Sequence, residues 1–232
     1  MKKYVLRFWP LYVFVASIFL LVLSIGNQAV TVISNNQPIV RTLRIVIDAG
    51  HGGEDGGATS CTGILESQIN LEIAMKLDIL CHFLGFETKM IRTTDVSVYT
   101  EGNTIAAKKA SDLRRRVQIV NETENAILIS IHQNTFSDSR YYGAQVFFAD
   151  TDGSQELARL LQEQMATITS DNHRRIKPAD KVYLMQHIKK TGVLIECGFL
   201  SNPSEEALLR SENYQKKLCS AIVCGLSRYL NS

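Results

Sequence analysis

Three short apolar runs constrain this chain more than anything else in it. RIVIDAG (44–50), AILISI (126–131) and GVLIE (192–196) are apolar almost without a break, and each is too short for an ordinary helix. A strand that is apolar on both sides must be covered on both sides, which is the situation of central strands in a parallel sheet. Longer runs with helical spacing lie between them. SQINLEIAMKLDILCHFLG (67–85) sets Ile69, Ile73, Leu77, Leu80 and Leu84 on one stripe and ends at Gly85. SDLRRRVQIVNE (111–122) reads as a helix capped by Ser111 or Asp112, with Leu113, Val117 and Val120 turned inward. GSQELARLLQEQMATIT (153–169) is a further helix, and residues 202–230 are helical in two pieces. FETKMIRTTD (86–95), GAQVFFAD (143–150) and KVYLMQ (181–186) complete the strands. Strands alternating with helices predict an α/β fold: a single domain built on a mostly parallel mixed sheet of about six strands, with helices on both faces.

The 232 residues are enough for one such core, and 45% hydrophobic against 21% charged residues is a globular balance. A net charge of +2 gives no concentrated basic surface and argues against nucleic acid as a partner. The one basic run, Arg114 to Arg116, lies in a helical pattern, where two of the three should face water. The chain start differs from the rest. Lys2, Lys3 and Arg7 precede an uncharged run from Phe8 to Gly26. Residues 1–26 therefore read as a signal peptide or a membrane anchor, residues 27–42 as a linker, and residues 43–231 as the folded domain. Either way the domain is exported, and it stays attached to the membrane if the segment is uncleaved. Five cysteines without a CxxC fit neither a disulfide framework nor a thiolate zinc site, and Cys81, Cys219 and Cys224 read as core residues.

Functional groups in open α/β sheets collect beyond the carboxyl ends of the strands. Those ends carry His51, His132 and Glu196 here, and Glu66 heads the first long helix. Two imidazoles and a carboxylate form a common catalytic zinc set, and a second carboxylate beside it can act as general base. Spacing alone does not establish this. His132 could be a satisfied core histidine, and Glu66 a carboxylate favoured by the helix dipole. GHGGEDGG could be a phosphate loop, although it lacks the Lys and Ser/Thr of a Walker sequence. Glu196 would be costly to bury without a partner, which favours a role in function.

The ordered blocks VIDAGHGGEDGGA, ILES with Asn70 behind it, DLRRRVQIVN, LISIHQN and GVLIECGFLSN resemble those of the amidase-3 type N-acetylmuramoyl-L-alanine amidases. The resemblance covers about residues 43–231. It implies a zinc ion (Zn2+) held by His51, Glu66 and His132, with Glu196 as the catalytic residue. It also implies hydrolysis of the amide between N-acetylmuramic acid and the L-alanine of the stem peptide, so the partner is the peptidoglycan glycan strand with its stem peptide. Arg116 and Asn134 are tentative substrate contacts; for Arg116 a bracing role is the alternative. Gln133, after the SIH block, departs from the family's usual small residue and would alter the rim of the site. Cys197, beside Glu196, reads as inert packing. The size and layout resemble the germination-specific amidases that act on spore cortex and help form muramic-δ-lactam. With no wall-binding repeat, the bare domain is expected to need an accessory protein. An inactive wall-binding homologue and a zinc peptidase of the stem peptide are the alternatives.

Overall fold

The computed structural model describes residues 43–169 and 172–232, which form one compact unit. The expected N-terminal segment (1–26) and linker (27–42) lie outside the described residues. Among the described residues, no helix is long and apolar enough to cross a membrane.

The six strands are β1 (Arg44–Ala49), β2 (Glu87–Met90), β3 (Ala126–Asn134), β4 (Gln145–Phe148), β5 (Lys177–Pro178) and β6 (Thr191–Phe199). They lie in the order β2-β1-β3-β6-β4-β5. β2, β1, β3 and β6 run parallel, and β4 is antiparallel to β6. The helices are α1 (Glu66–Phe83), α2 (Ile105–Glu122), α3 (Ser154–Ile168), α4 (Tyr183–His187), α5 (Pro203–Leu209) and α6 (Glu212–Leu230).

The pleat sends alternate side chains to opposite faces. Val46, Leu128 and Leu194 meet Val120 of α2 and Leu184 and Met185 of α4 on one face. The residues between them, Ile45, Ile47, Ile129, Val193 and Ile195, are fully buried on the other. That face is covered by α1 against β1 to β3 and by α3 against β4 and β6, with α6 packed on both helices. This double cover is why the strand sequences alternate so little.

Four local expectations are corrected. In α1 the buried stripe is Ile69, Ile73, Leu77 and Cys81; Leu80 is half-buried and Leu84 exposed. The steps of four swing the stripe toward α6, where Cys219 donates to Ile73 O. Gly85 does end the helix, at φ 84°, with the Phe86 N–H closing back on Cys81 O. The second helix starts earlier than expected: Thr104 caps it by accepting from the Ala107 N–H. Ser111 and Asp112 instead accept N–H groups from the loop at Val98, Thr100 and Glu101. Residues 181–186 are not a strand, because the adjacent residues Leu184 and Met185 both enter one core, which an extended chain forbids. The short helix α4 stands there, and β5 is the preceding Lys177–Pro178. Finally, Cys81 and Cys219 are buried as expected, but Cys224 is exposed.

Candidate metal centre and active site

β1 delivers the chain to the carboxyl edge of the sheet, where His51 takes the left-handed conformation at φ 61°. That conformation costs a non-glycine residue about 1–3 kcal/mol unless its surroundings enforce it. Here they do. The buried guanidinium of Arg116 donates to His51 O at 2.7 Å, and Gly52 and Asp55 exchange backbone hydrogen bonds across the turn. Asp55 Oδ2 lies 2.9 Å from His51 Nδ1, so the imidazole is oriented with Nε2 facing inward. Nε2 stands 3.2 Å from Glu66 Oε2.

Glu66, at the first position of α1, reaches over the same edge. Its Oε1 is 3.0 Å from His132 Nδ1, and the ring centroids of the two histidines are 5.0 Å apart. The carboxylate is fixed from behind by the N–H groups of Ala58 and Gln133 and by the Asn70 amide. Two glycines make the approach feasible. A Cβ on Gly57 would fall 2.6 Å from Glu66 Oε2, and one on Gly50 would fall 2.3 Å from the His132 ring. One ligand atom from each of His51, Glu66 and His132 fits within 4.8 Å of the others.

Glu196 is level with His132 across β3 and β6. Immediately beyond, the register moves from His132–Glu196 to Asn134–Phe199, so β6 carries one extra residue, a bulge that re-aims the chain after Glu196. Glu196 Oε2 is buried and has no hydrogen-bond partner. Burial drives its carboxyl up to about 7, with Glu66 adding repulsion and the two histidines opposing. Burial would also raise Glu66, but the hydrogen bonds and charges of His132 and His51 hold it far below the usual carboxylate range. Burial disfavours a charged His51, yet Glu66 and then Asp55 raise it overall. The four groups thus form one set: an ionised carboxylate between two imidazoles, and a neutral-prone carboxyl beside them.

The structure brings His51, Glu66, His132 and Glu196 together. It gives Arg116 the bracing role, because its side chain is buried and committed to Asp48, Asp112, Ala49 O and His51 O. Asn134 stands at the half-buried end of β3. Gln133 does not form the rim of the site: it is buried, and its amide donates to Asn70 Oδ1, behind Glu66. Cys197 is wholly buried, and burial raises its thiol, as inert packing requires. Asp55 was missed by sequence reasoning. Its position four residues after His51 in an acidic, glycine-rich loop carries no distinguishing signal.

The family model described as N-acetylmuramoyl-L-alanine amidase matches residues 45–228. The chain belongs to this family. Its enzyme activity is therefore that of an N-acetylmuramoyl-L-alanine amidase. A curated relative, the germination-specific N-acetylmuramoyl-L-alanine amidase of Bacillus subtilis, is 38% identical over 187 residues, spanning 80% of this chain and 78% of that protein. Among solved structures, the CwlD amidase of Clostridioides difficile, in complex with the GerS lipoprotein, superposes with a TM-score of 0.78 at 39% identity, over 82% of this chain and 98% of that one. An N-acetylmuramoyl-L-alanine amidase from Clostridium difficile 630 gives a TM-score of 0.72 at 30% identity over the same shares.

Proposed function

We propose that this chain is a zinc-dependent amidase that cuts the bond between N-acetylmuramic acid and L-alanine in spore cortex peptidoglycan. The observation that carries the reading is a carboxylate with a buried, unpartnered oxygen next to a His-Glu-His cluster. His51, Glu66 and His132 would hold the ion, and two imidazoles with a carboxylate are the donor set zinc favours for catalysis. When bound, the ion supplies Lewis-acid polarisation and a water that ionises near neutral pH. Asp55 keeps His51 in the tautomer that leaves Nε2 unprotonated, and Asn70 with Gln133 keeps Glu66 from turning away. Glu196 takes the proton of the attacking water. It then passes that proton to the leaving alanine nitrogen as the C–N bond breaks. Burial raises the Glu196 carboxyl above the ordinary carboxylate range, which favours its taking up a proton and handing it on.

The germination role is supported by the 38% identical relative named for it, and an exported location fits a wall substrate. There the cut would strip stem peptides ahead of muramic-δ-lactam formation. The solved complex of a 39% identical amidase with a lipoprotein supports an accessory protein for this chain too. Mass spectrometry of cortex fragments digested with and without a chelator tests the reading. It expects muramic acid with a free lactyl carboxylate and peptides with a free L-alanine amine, both lost on chelation and regained with zinc. Cleavage within the stem peptide would replace the amidase reading with a peptidase one.

A further inference from the structure

The catalytic row continues past Glu196 onto β4. Because β4 is antiparallel, its first residue, Gln145, lies at the same sheet edge and pairs directly with Glu196. Directly opposed residues share a face. Gln145 Oε1 accepts from Arg174 Nη1 at 3.3 Å, and Arg174 Nε donates to Tyr142 O at 2.6 Å. The guanidinium lies 4.4 Å from the Phe199 ring centroid and 5.9 Å from that of Tyr141. It lines a cavity of about 520 Å3 with Asp138, Arg140, Tyr141, Tyr142 and His173.

Among the described residues, the charges of the arginines and carboxylates in this cavity do not balance. Asp138 is taken by Arg140, which grips it through Nε and Nη2. Among the described residues, no carboxylate forms an ion pair with Arg174. The buried Glu205 feels its charge, but both Glu205 oxygens already accept the N–H groups of Gly143 and Phe199. Arg174 Nη2 donates to no described residue. A guanidinium held over an aromatic ring, with one terminal nitrogen unspent among the described residues, is preorganised to grip a carboxylate.

We propose that Arg174 binds a free carboxylate of the stem peptide, on the residue that follows the alanine. The proposal rests on the amidase reading above and specifies its substrate. Two residues of extended peptide reach about 7 Å. One cross-strand step of about 5 Å separates Gln145 from Glu196, and Arg174 Nη1 lies 3.3 Å beyond the tip of the Gln145 side chain. Tyr141 and Phe136, whose rings lie 4.5 Å apart, offer an apolar wall beside the grip.

The test compares muropeptide fragments in which that carboxylate is free or converted to its primary amide, using the full chain loaded with zinc. The wild type should favour the free acid by about tenfold in kcat/KM, mainly through KM. In Arg174→Gln the acid-to-amide ratio should fall to near one, and in Arg174→Lys it should be intermediate, since charge remains but the fork is lost. Arg114→Gln, which removes an exposed arginine paired with Glu101 and outside the cavity, should keep the wild-type ratio. No preference in the wild type, an unchanged ratio in Arg174→Gln, or loss of the ratio in Arg114→Gln would each overturn the proposal. Calorimetric binding of the same fragments separates it from the underlying reading. An acid preference in binding that depends on Arg174, without cleavage by the wild type, would keep the subsite and sink the amidase assignment. Arg174→Gln that melts at the wild-type temperature excludes misfolding as the cause; if it does not fold, Arg174→Lys alone decides, and an undiminished ratio there refutes the grip.

Discussion

Replacing Arg116 by methionine is the perturbation whose cost follows most directly from the structure. Arg116 is 2% exposed and Asp48 only 1%. Its nitrogens reach Asp48 Oδ1 at 2.5 Å, Asp112 Oδ2 at 2.6 Å, Ala49 O at 3.0 Å and His51 O at 2.7 Å. Methionine fills much of the volume but returns none of these bonds. Asp48 then keeps a single hydrogen bond, from Ser130, inside a core that resists its charge. Removing one partner of a buried ion pair costs about 3–5 kcal/mol. That is a large part of the 5–15 kcal/mol typical of a domain. At about 2–4 °C per kcal/mol for a domain of this size, Tm should fall by roughly 6–20 °C. The same change releases His51 O, which helps hold His51 in its left-handed conformation, so zinc affinity should fall by about tenfold or more. Thermal unfolding with and without zinc measures both effects. Adding Asp48→Asn to the variant should restore part of the loss, because the stranded charge disappears. A drop of under about 2 °C, or strict additivity of the two substitutions, would refute the view that Arg116 locks the His51 turn through a buried ion pair.

Glu196→Gln should keep zinc and lower kcat by about 10²–10⁴-fold, and near-normal turnover would remove Glu196 as the proton carrier. The same variant carries a pH signature in the metal-free protein. The Glu196 carboxyl is raised in the fold from its ordinary 4.5 to about 7, so its contribution is fully present below 4.5 and lost as pH rises through about 7. Denaturation at pH 8 in chelator should therefore show Glu196→Gln more stable than wild type by up to about 3 kcal/mol, with the gain gone at pH 4. His132→Ala should abolish stoichiometric zinc by elemental analysis, and full zinc content would sink its assignment as a ligand. Asp55→Asn leaves the cluster intact but loses the anion behind His51, so zinc affinity by competition with a chelator should weaken about 10–100-fold; no change would show that the Asp55 contact does not tune the ligand.

The sheet was legible because its central strands are buried on both sides and say so residue by residue. Residues 126–131 are apolar except for Ser130, residues 192–195 carry no polar side chain, and the polar residue met next at the sheet edge, His132 or Glu196, is in each case a candidate site residue. Helix α4 was misread because a run of six apolar and polar residues has no period long enough to separate strand from helix. Its identity depends on which core Leu184 and Met185 share. The stripe of α1 was misplaced at its end for a similar reason: α6, distant in sequence, decides whether Leu80 or Cys81 turns inward.

Sequence alone determined the class of sheet and the four chemical groups at its edge, since these are local facts of residue type and order. Tertiary structure decided what each group is worth. Asp55 is one acidic residue among several until the turn brings it to His51 Nδ1. Gln133 passes for part of the rim until burial turns it onto Asn70. Arg116 and Arg174 are both arginines close to the site. One is consumed by two buried aspartates, and the other keeps one terminal nitrogen without an acceptor among the described residues, over a cavity. Burial and partnership depend on segments dozens of residues apart, and no local pattern encodes whether a charge is already answered.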